Sequence, residues 1–314
     1  MTVEINRKEL FNEFALGVQE RGKGRVERES DYLIKIQLEE EEFDTLKINV
    51  LQFLSARIFG EDYSITSEDE IIDLLQGDPK DEFLTSSGLI LPKRQSCLEF
   101  NLVILSFYKI LQRYLSVYGW YEILPLRVKT NRSSNKSASI RNSSMPHLDS
   151  WTGFSDRAYV CFLPLLGDIE RNTIKFWNPI VDIDEKWHDF NTSDSQANNI
   201  VENYYERLNT CLQAGYLYVA ESSVVHATEV QGDATARISI DQLFLPEWTR
   251  KQGLGIQDVK RYNDFITVDR YESFPHEYIY DFHDSHSVRR PTNGLCSPVG
   301  RKKLPLSNQF ELAA

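Results

Sequence analysis

The chain has 314 residues, 41% of them hydrophobic, and its 47 acidic against 35 basic side chains give a formal net charge of −12. That length and apolar fraction support a large core, in one elaborated domain or two small ones. The acidic balance, with a sequence pI near 5.1, argues against a general polyanion-binding role, and nucleic acid is not an expected partner.

Taken in chain order, Met1 to Lys8 lacks the apolar core of a signal peptide. Tyr32, Ile34, Ile36 and Leu38 alternate as an early strand, and the acidic run Glu39 to Glu42 opens a helix carrying Phe43, Leu46, Val50, Phe53 and Leu54. From Ser64 to Gly88 the chain turns polar, with a short helix over 68–75 and a turn at Gly77-Asp78-Pro79. Phe100, Val103, Ile104, Phe107, Leu111 and Tyr114 form the apolar stripe of a core helix within 98–117, closed by Gly119. Glu99, Asn101, Lys109, Gln112 and Arg113 interrupt that stretch, so no membrane span is expected.

A strand over 121–128 leads to a polar loop, 131–137, readable as a lid or as plain surface. Strands follow over 159–165 and 173–177, separated by a turn at Gly167-Asp168. Asp182 and Asp184 read as loop or helix-cap residues, with His188 nearby. A helix is expected over 198–212, then strands over 215–219, 223–230 and 236–244, with Gln231-Gly232-Asp233 turning between the last two. In the tail, His283 and His286 could share a helical face, and the stretch from Ser297 is largely polar. The four cysteines, 97, 161, 211 and 296, form no Cys-x-x-Cys pair and are expected as reduced thiols of a cytoplasmic protein, with Cys161 and Cys211 buried.

The chemistry concentrates at His147-Leu148-Asp149 and His226. Residues i and i+2 of a strand share a face, so His147 and Asp149 could point into one pocket. Two imidazoles and one carboxylate leave positions open on an octahedral metal, as a 2-His-1-carboxylate iron site requires. A hairpin about Gly232 would set Arg237 almost opposite His226, about 5 Å across the strands. Arg237 and Ser239 would share a face, with an ion pair to Asp241 or Glu229 as the alternative role for Arg237.

His-x-Asp, a long interval, His, ten residues and then Arg-x-Ser resembles the Fe(II)/2-oxoglutarate-dependent dioxygenases over roughly residues 120–250. The resemblance implies a mainly β fold with added helices (α+β), built on a double-stranded β-helix, or cupin-like jelly roll. It implies iron ligation by His147, Asp149 and His226, with Arg237 pairing bidentately with the distal carboxylate of 2-oxoglutarate, helped by Ser239. Fe(II), 2-oxoglutarate and O2 would then hydroxylate, desaturate or cyclise a small polar metabolite, releasing succinate and CO2. Asp149 argues against halogenation, since the halogenating relatives lack the carboxylate ligand. The helical N-terminal part is similar to the phytanoyl-CoA-hydroxylase-like and small-molecule biosynthetic branches.

Trp151, Tyr159 and Phe162 could line the substrate pocket or pack in the core, and Arg141 could meet an anionic substrate group or face solvent. The expected organisation is a single domain over 1–314: a helical elaboration over 1–119, the jelly-roll core over 120–250, and a C-terminal extension or lid over 251–314, with a homodimer as one possible assembly. Two other classes stay open: a metal-dependent hydrolase using the same three ligands, and a non-catalytic cupin-like binding protein.

Overall fold

The computed structural model describes residues 6–60, 64, 66–77, 84, 88–92, 96–121, 124–131, 143–189, 191–251 and 265–267. Helix α1 (Arg7–Glu20) starts where the Asn6 side chain accepts a hydrogen bond from the Glu9 backbone N–H, satisfying one free donor of the first turn. Strands β1 (Val26–Ser30) and β2 (Leu33–Gln37) follow, then α2 (Glu40–Phe59) and α3 (Glu68–Gln76). A reciprocal Ser67–Glu70 capping box opens α3. Next come α4 (Cys97–Tyr114), β3 (Val117–Tyr121), β4 (Leu126–Lys129), β5 (Tyr159–Gly167) and β6 (Asn172–Pro179). The remainder is α5 (Asp194–Tyr204), β7 (Tyr205–Arg207), β8 (Tyr216–Ala220), β9 (Val225–Val230), β10 (Arg237–Pro246), α6 (Glu247–Lys251) and β11 (Phe265–Thr267).

Among the described residues the strands form two antiparallel sheets. The larger runs β1-β2-β8-β5-β10-β3-β11, with β4 lying end to end with β3 along β10; the smaller runs β7-β6-β9. The β5–β10 pair of the large sheet continues as the β6–β9 pair of the small one, a two-stranded ribbon bent over into a jelly roll. Its two bends lie side by side and are tied together, Arg171 reaching Asp168 and Asp233 at 2.7 Å each. Gly167 occupies the first bend at φ +82°, where a Cβ would lie 2.0 Å from the Ala236 carbonyl oxygen, so only glycine fits.

Strand parity divides the core. Tyr159, Cys161 and Leu163 of β5 and Ile238, Ile240 and Phe244 of β10 pack against the apolar faces of α1 to α4, while Val160, Phe162, Leu243 and Leu245 point between the sheets. The α4 stripe read from the sequence is buried throughout, and each fully buried Phe on it contributes about 2–3 kcal/mol. A third cluster, around Leu148, Trp151, Tyr205 and Val225, packs beside α5.

Several expectations change here. Gly119 pairs within β3, because the backbone already turns extended at Leu115. The expected helix over 198–212 ends at Tyr204, whose successor Tyr205 starts β7 against Pro179. The 121–128 strand is two strands, β3 and β4. Cys161 is buried, but Cys211 is exposed; Cys296 and the Cys97 side chain lie outside the described residues. The acidic start of α2 is not simply solvated, since Arg113 of α4 reaches Glu39 and Glu42 at 2.6 and 2.5 Å. Asp184 caps a 3-10 turn, as the sequence suggests, by accepting from the Lys186 N–H. The 131–137 loop (apart from Asn131), the His283/His286 segment and Arg141 lie outside the described residues.

Arg7 ties α1 to the rest. Its guanidinium, 4% exposed, donates to Glu185, to Glu221 and Ser222, and to the Asp156 carbonyl, all within 2.6–2.8 Å. Glu221 is 1% exposed, so deleting the cation would strand a buried carboxylate. Arg7→Ala is expected to cost about 3–5 kcal/mol, read as a lower urea midpoint at unchanged slope; a loss under about 1 kcal/mol would contradict this account.

Candidate metal centre

His147 and His226 are joined backbone to backbone. Each donates its N–H to the other's carbonyl, at 3.1 and 3.0 Å, as an antiparallel bridge on the edge of β9 that faces away from β6. Across β9, His226 is in register with Phe176 of β6, whose ring lies between the sheets, so the imidazole faces the interior. The two imidazole centroids are 4.4 Å apart, and Phe162 meets His226 edge-on at 5.0 Å.

Asp149 is not on a strand with His147. The chain is extended through Leu148 and then enters a 3-10 turn, Asp149–Thr152, ended by Gly153 at φ +95°. The Asp149 carboxylate still reaches the imidazoles, with Oδ1 3.8 Å from His226 Nε2. Donor atoms of His147, Asp149 and His226 all lie within 4.8 Å of one another, the one such His/Cys/Asp/Glu group among the described residues.

The protonation pattern suits a metal. His147 Nδ1 lies 2.8 Å from the Met145 carbonyl and His226 Nδ1 3.4 Å from that of Val224. A carbonyl only accepts, so Nδ1 carries the proton and Nε2 keeps its lone pair. Burial, then the neighbouring His226, holds His147 down to about 4; burial holds His226 to about 4 as well and raises the Asp149 carboxyl. In an unfolded chain a histidine titrates at about 6.5. Between these values the unfolded chain takes up protons that the fold refuses, so this stability is complete above about 6.5 and lost as pH falls towards 4. The metal-free protein is therefore expected to lose more stability from pH 6.5 to 4.5 than a His147→Gln, His226→Gln double variant. Parallel denaturation profiles would contradict buried neutral imidazoles.

Arg237 lies across the interior, not across a hairpin. β9 and β10 belong to different sheets: His226 pairs with Phe176 and His147, whereas Arg237 pairs with Lys129 of β4 and Gly167 of β5. Because Ile238 and Ile240 face the helices, Arg237, Ser239 and Asp241 face the other sheet. Arg237 is 0% exposed; Nη1 donates to the Asn172 carbonyl at 3.1 Å, and Nε and Nη2 have no partner. Burial draws it down to about 10, still charged at neutral pH. Neither alternative ion pair forms, since Asp241 is held by Arg127 at 2.8 Å and Glu229 by Arg207 at 2.6 Å. Ser239 donates its hydroxyl to Asp241 at 2.9 Å.

Of the proposed pocket residues, Phe162 stands beside His226. Tyr159 lies on the opposite face of the same strand, among Phe11, Phe14 and Phe244, because an odd step along β5 reverses the side. Trp151 is buried in the third cluster and donates to the Trp187 carbonyl at 2.5 Å. The sequence reading missed Arg127 and Lys129, which share the inner face with Arg237. Charged residues alternating with Leu126 and Val128 in a strand were the available signal. Lys129 donates to Ser143, and burial, then Arg127, lowers it to about 7.

No family model matches the chain, and no curated protein matches it. Solved structures similar to it include the non-heme alpha ketoglutarate dependent epimerase SnoN from nogalamycin biosynthesis, 12% identical over 76% of this chain and 83% of that one, with a TM-score of 0.35. The alpha ketoglutarate dependent carbocyclase SnoK, also from nogalamycin biosynthesis, is 12% identical over 78% and 85%, with a TM-score of 0.39. An N-substituted L-amino acid dioxygenase from Burkholderia ambifaria AMMD is 12% identical over 73% and 86%, with a TM-score of 0.36.

Proposed function

We propose that the chain is an Fe(II)/2-oxoglutarate-dependent oxygenase that hydroxylates, desaturates or cyclises a small polar metabolite, releasing succinate and CO2. The observation that carries this reading is a pairing across one interior: a two-imidazole, one-carboxylate cluster on one side and a fully buried guanidinium with two unpartnered nitrogens on the other. Two unpaired nitrogens on a buried cation are costly, and a carboxylate accepting from Nε and Nη2 would offset that cost. A hydrolase working through a metal-activated water gives Arg237 no such task.

His147 and His226 would offer Nε2, each ring oriented through Nδ1, and Asp149 would supply the oxygen donor. Arg237 would hold the far carboxylate of 2-oxoglutarate, with Ser239 joining once its hydroxyl leaves Asp241. Lys129, directly across from Arg237, adds a second basic side chain to that wall, and Phe162 and Phe176 keep the His226 side apolar. When bound, iron would activate O2, and 2-oxoglutarate would supply two of the four electrons that O2 takes up, leaving as succinate and CO2, while the substrate C–H bond supplies the other two. Residues 1–314 would form one catalytic domain of a cytoplasmic protein. No helix among the described residues is long and apolar enough to cross a membrane.

Anaerobic addition of Fe(II) and 2-oxoglutarate tests the class: a weak visible charge-transfer band is expected, and its absence would leave the hydrolase or the binding protein. A metabolite screen for substrate-stimulated succinate release would then name the substrate.

A further inference from the structure

We propose that His188 is a positioning residue, a rigid brace that sets the Asp149 carboxylate against His226; the proposal rests on the metal-centre reading above. Backbone pairing fixes His147 to His226, but it stops before Asp149, which sits on the following 3-10 turn. Something else must hold that turn in place.

His188 ends a separate 3-10 turn, Glu185–His188, and is 2% exposed. Its Nδ1 lies 3.2 Å from Ser150 Oγ and its Nε2 3.1 Å from Ser223 Oγ. Ser150 follows Asp149 directly. Ser223 belongs to the tight turn that launches β9 towards His226, in which the Val224 N–H donates to the Glu221 carbonyl at 2.9 Å and the Ser223 N–H to the Glu221 carboxylate at 2.7 Å. One side chain therefore spans the two segments that carry two of the ligands. A neutral imidazole has one donor and one acceptor nitrogen, and a hydroxyl can complement either, so both contacts form in one protonation state. The ring is planar and stiff, which makes it a spacer of fixed length.

Neighbouring contacts keep the brace seated. The Trp187 carbonyl accepts from Trp151 on the Asp149 turn, and Glu185 accepts from Nε and Nη2 of Arg7, whose Nη1 donates to Glu221 and Ser222. The Glu185–His188 turn is thereby joined to both ligand-bearing segments. His188 is not in the donor cluster, so its effect is on ligand geometry.

Co(II), followed by its visible d–d absorption in the full-length metal-free protein, supplies a readout separate from turnover. His188→Ala is expected to weaken Co(II) binding about 10- to 100-fold and alter the spectrum, as loss of a group that orients metal ligands does. His188→Gln, which can still donate and accept, should recover most of the affinity, and Ser150→Ala or Ser223→Ala should each give a partial loss. Thermal unfolding without metal runs alongside. Wild-type Co(II) affinity and spectrum in a folded His188→Ala variant would overturn the brace while leaving the metal centre standing. No Co(II) uptake by the wild-type protein would instead sink the metal centre, and the brace with it. Should His188→Ala not fold, the Ser150→Ala, Ser223→Ala double variant decides, and wild-type affinity there also overturns the proposal.

Discussion

Replacing His226 with alanine is expected to abolish metal-dependent behaviour while leaving the barrel folded. The bridge to His147 is made by backbone atoms and survives the change. Contact with the Phe162 ring, 5.0 Å away, is lost, but so is the cost of keeping a buried imidazole neutral in acid. One of three donors disappears, and the remaining pair binds a divalent ion far more weakly. Metal at about 100 times its dissociation constant stabilises a fold by about 2.7 kcal/mol. The wild-type protein should therefore show an upward shift in Tm with Fe(II) or Mn(II) that His226→Ala lacks, and succinate release should fall at least about 1,000-fold. A metal-dependent Tm shift that persists in the variant would remove His226 from the ligand set.

The second large effect belongs to Arg237, and it separates co-substrate from metal. A charge-assisted hydrogen bond is worth about 1.5–3 kcal/mol, so Arg237→Ala should raise the 2-oxoglutarate Kd about tenfold or more, with Co(II) affinity close to that of the wild type. Lysine is not a substitute, because it lacks the planar fork. The stability readout runs the other way. Removing a fully buried guanidinium with two unpartnered nitrogens relieves a desolvation cost, so Arg237→Met should be neutral or stabilising without 2-oxoglutarate. Unchanged 2-oxoglutarate affinity, combined with a destabilised Met variant, would make Arg237 a structural residue and reject the co-substrate assignment.

Much of the site was legible because residue type and parity are local properties. His147, Asp149 and His226 stand out as donors, and the alternation of Ile238 and Ile240 with Arg237 and Ser239 correctly put the latter two on one face. The apolar stripe from Phe100 to Tyr114 likewise marked its own buried side. His188 was visible only as a neighbour of Asp182 and Asp184; its partners, Ser150 and Ser223, lie far away along the chain and nothing in the local pattern names them.

What the sequence determined by itself was which side chains carry the donor atoms or charge suited to metal and carboxylate, and that Arg237 and Ser239 share a side of one strand. Tertiary structure alone decided what those sides face. The turn at Gly232 looks like a hairpin, but the chain bends there into the other sheet, so Arg237 and His226 stand on different sheets and not on one ladder. Tyr159 and Phe162 parted for the same reason, one to the helices and one to the imidazoles. Alternation has a period of two and no memory of which layer covers which face; that is settled only when the ribbon bends and long-range packing assigns an inside to each strand.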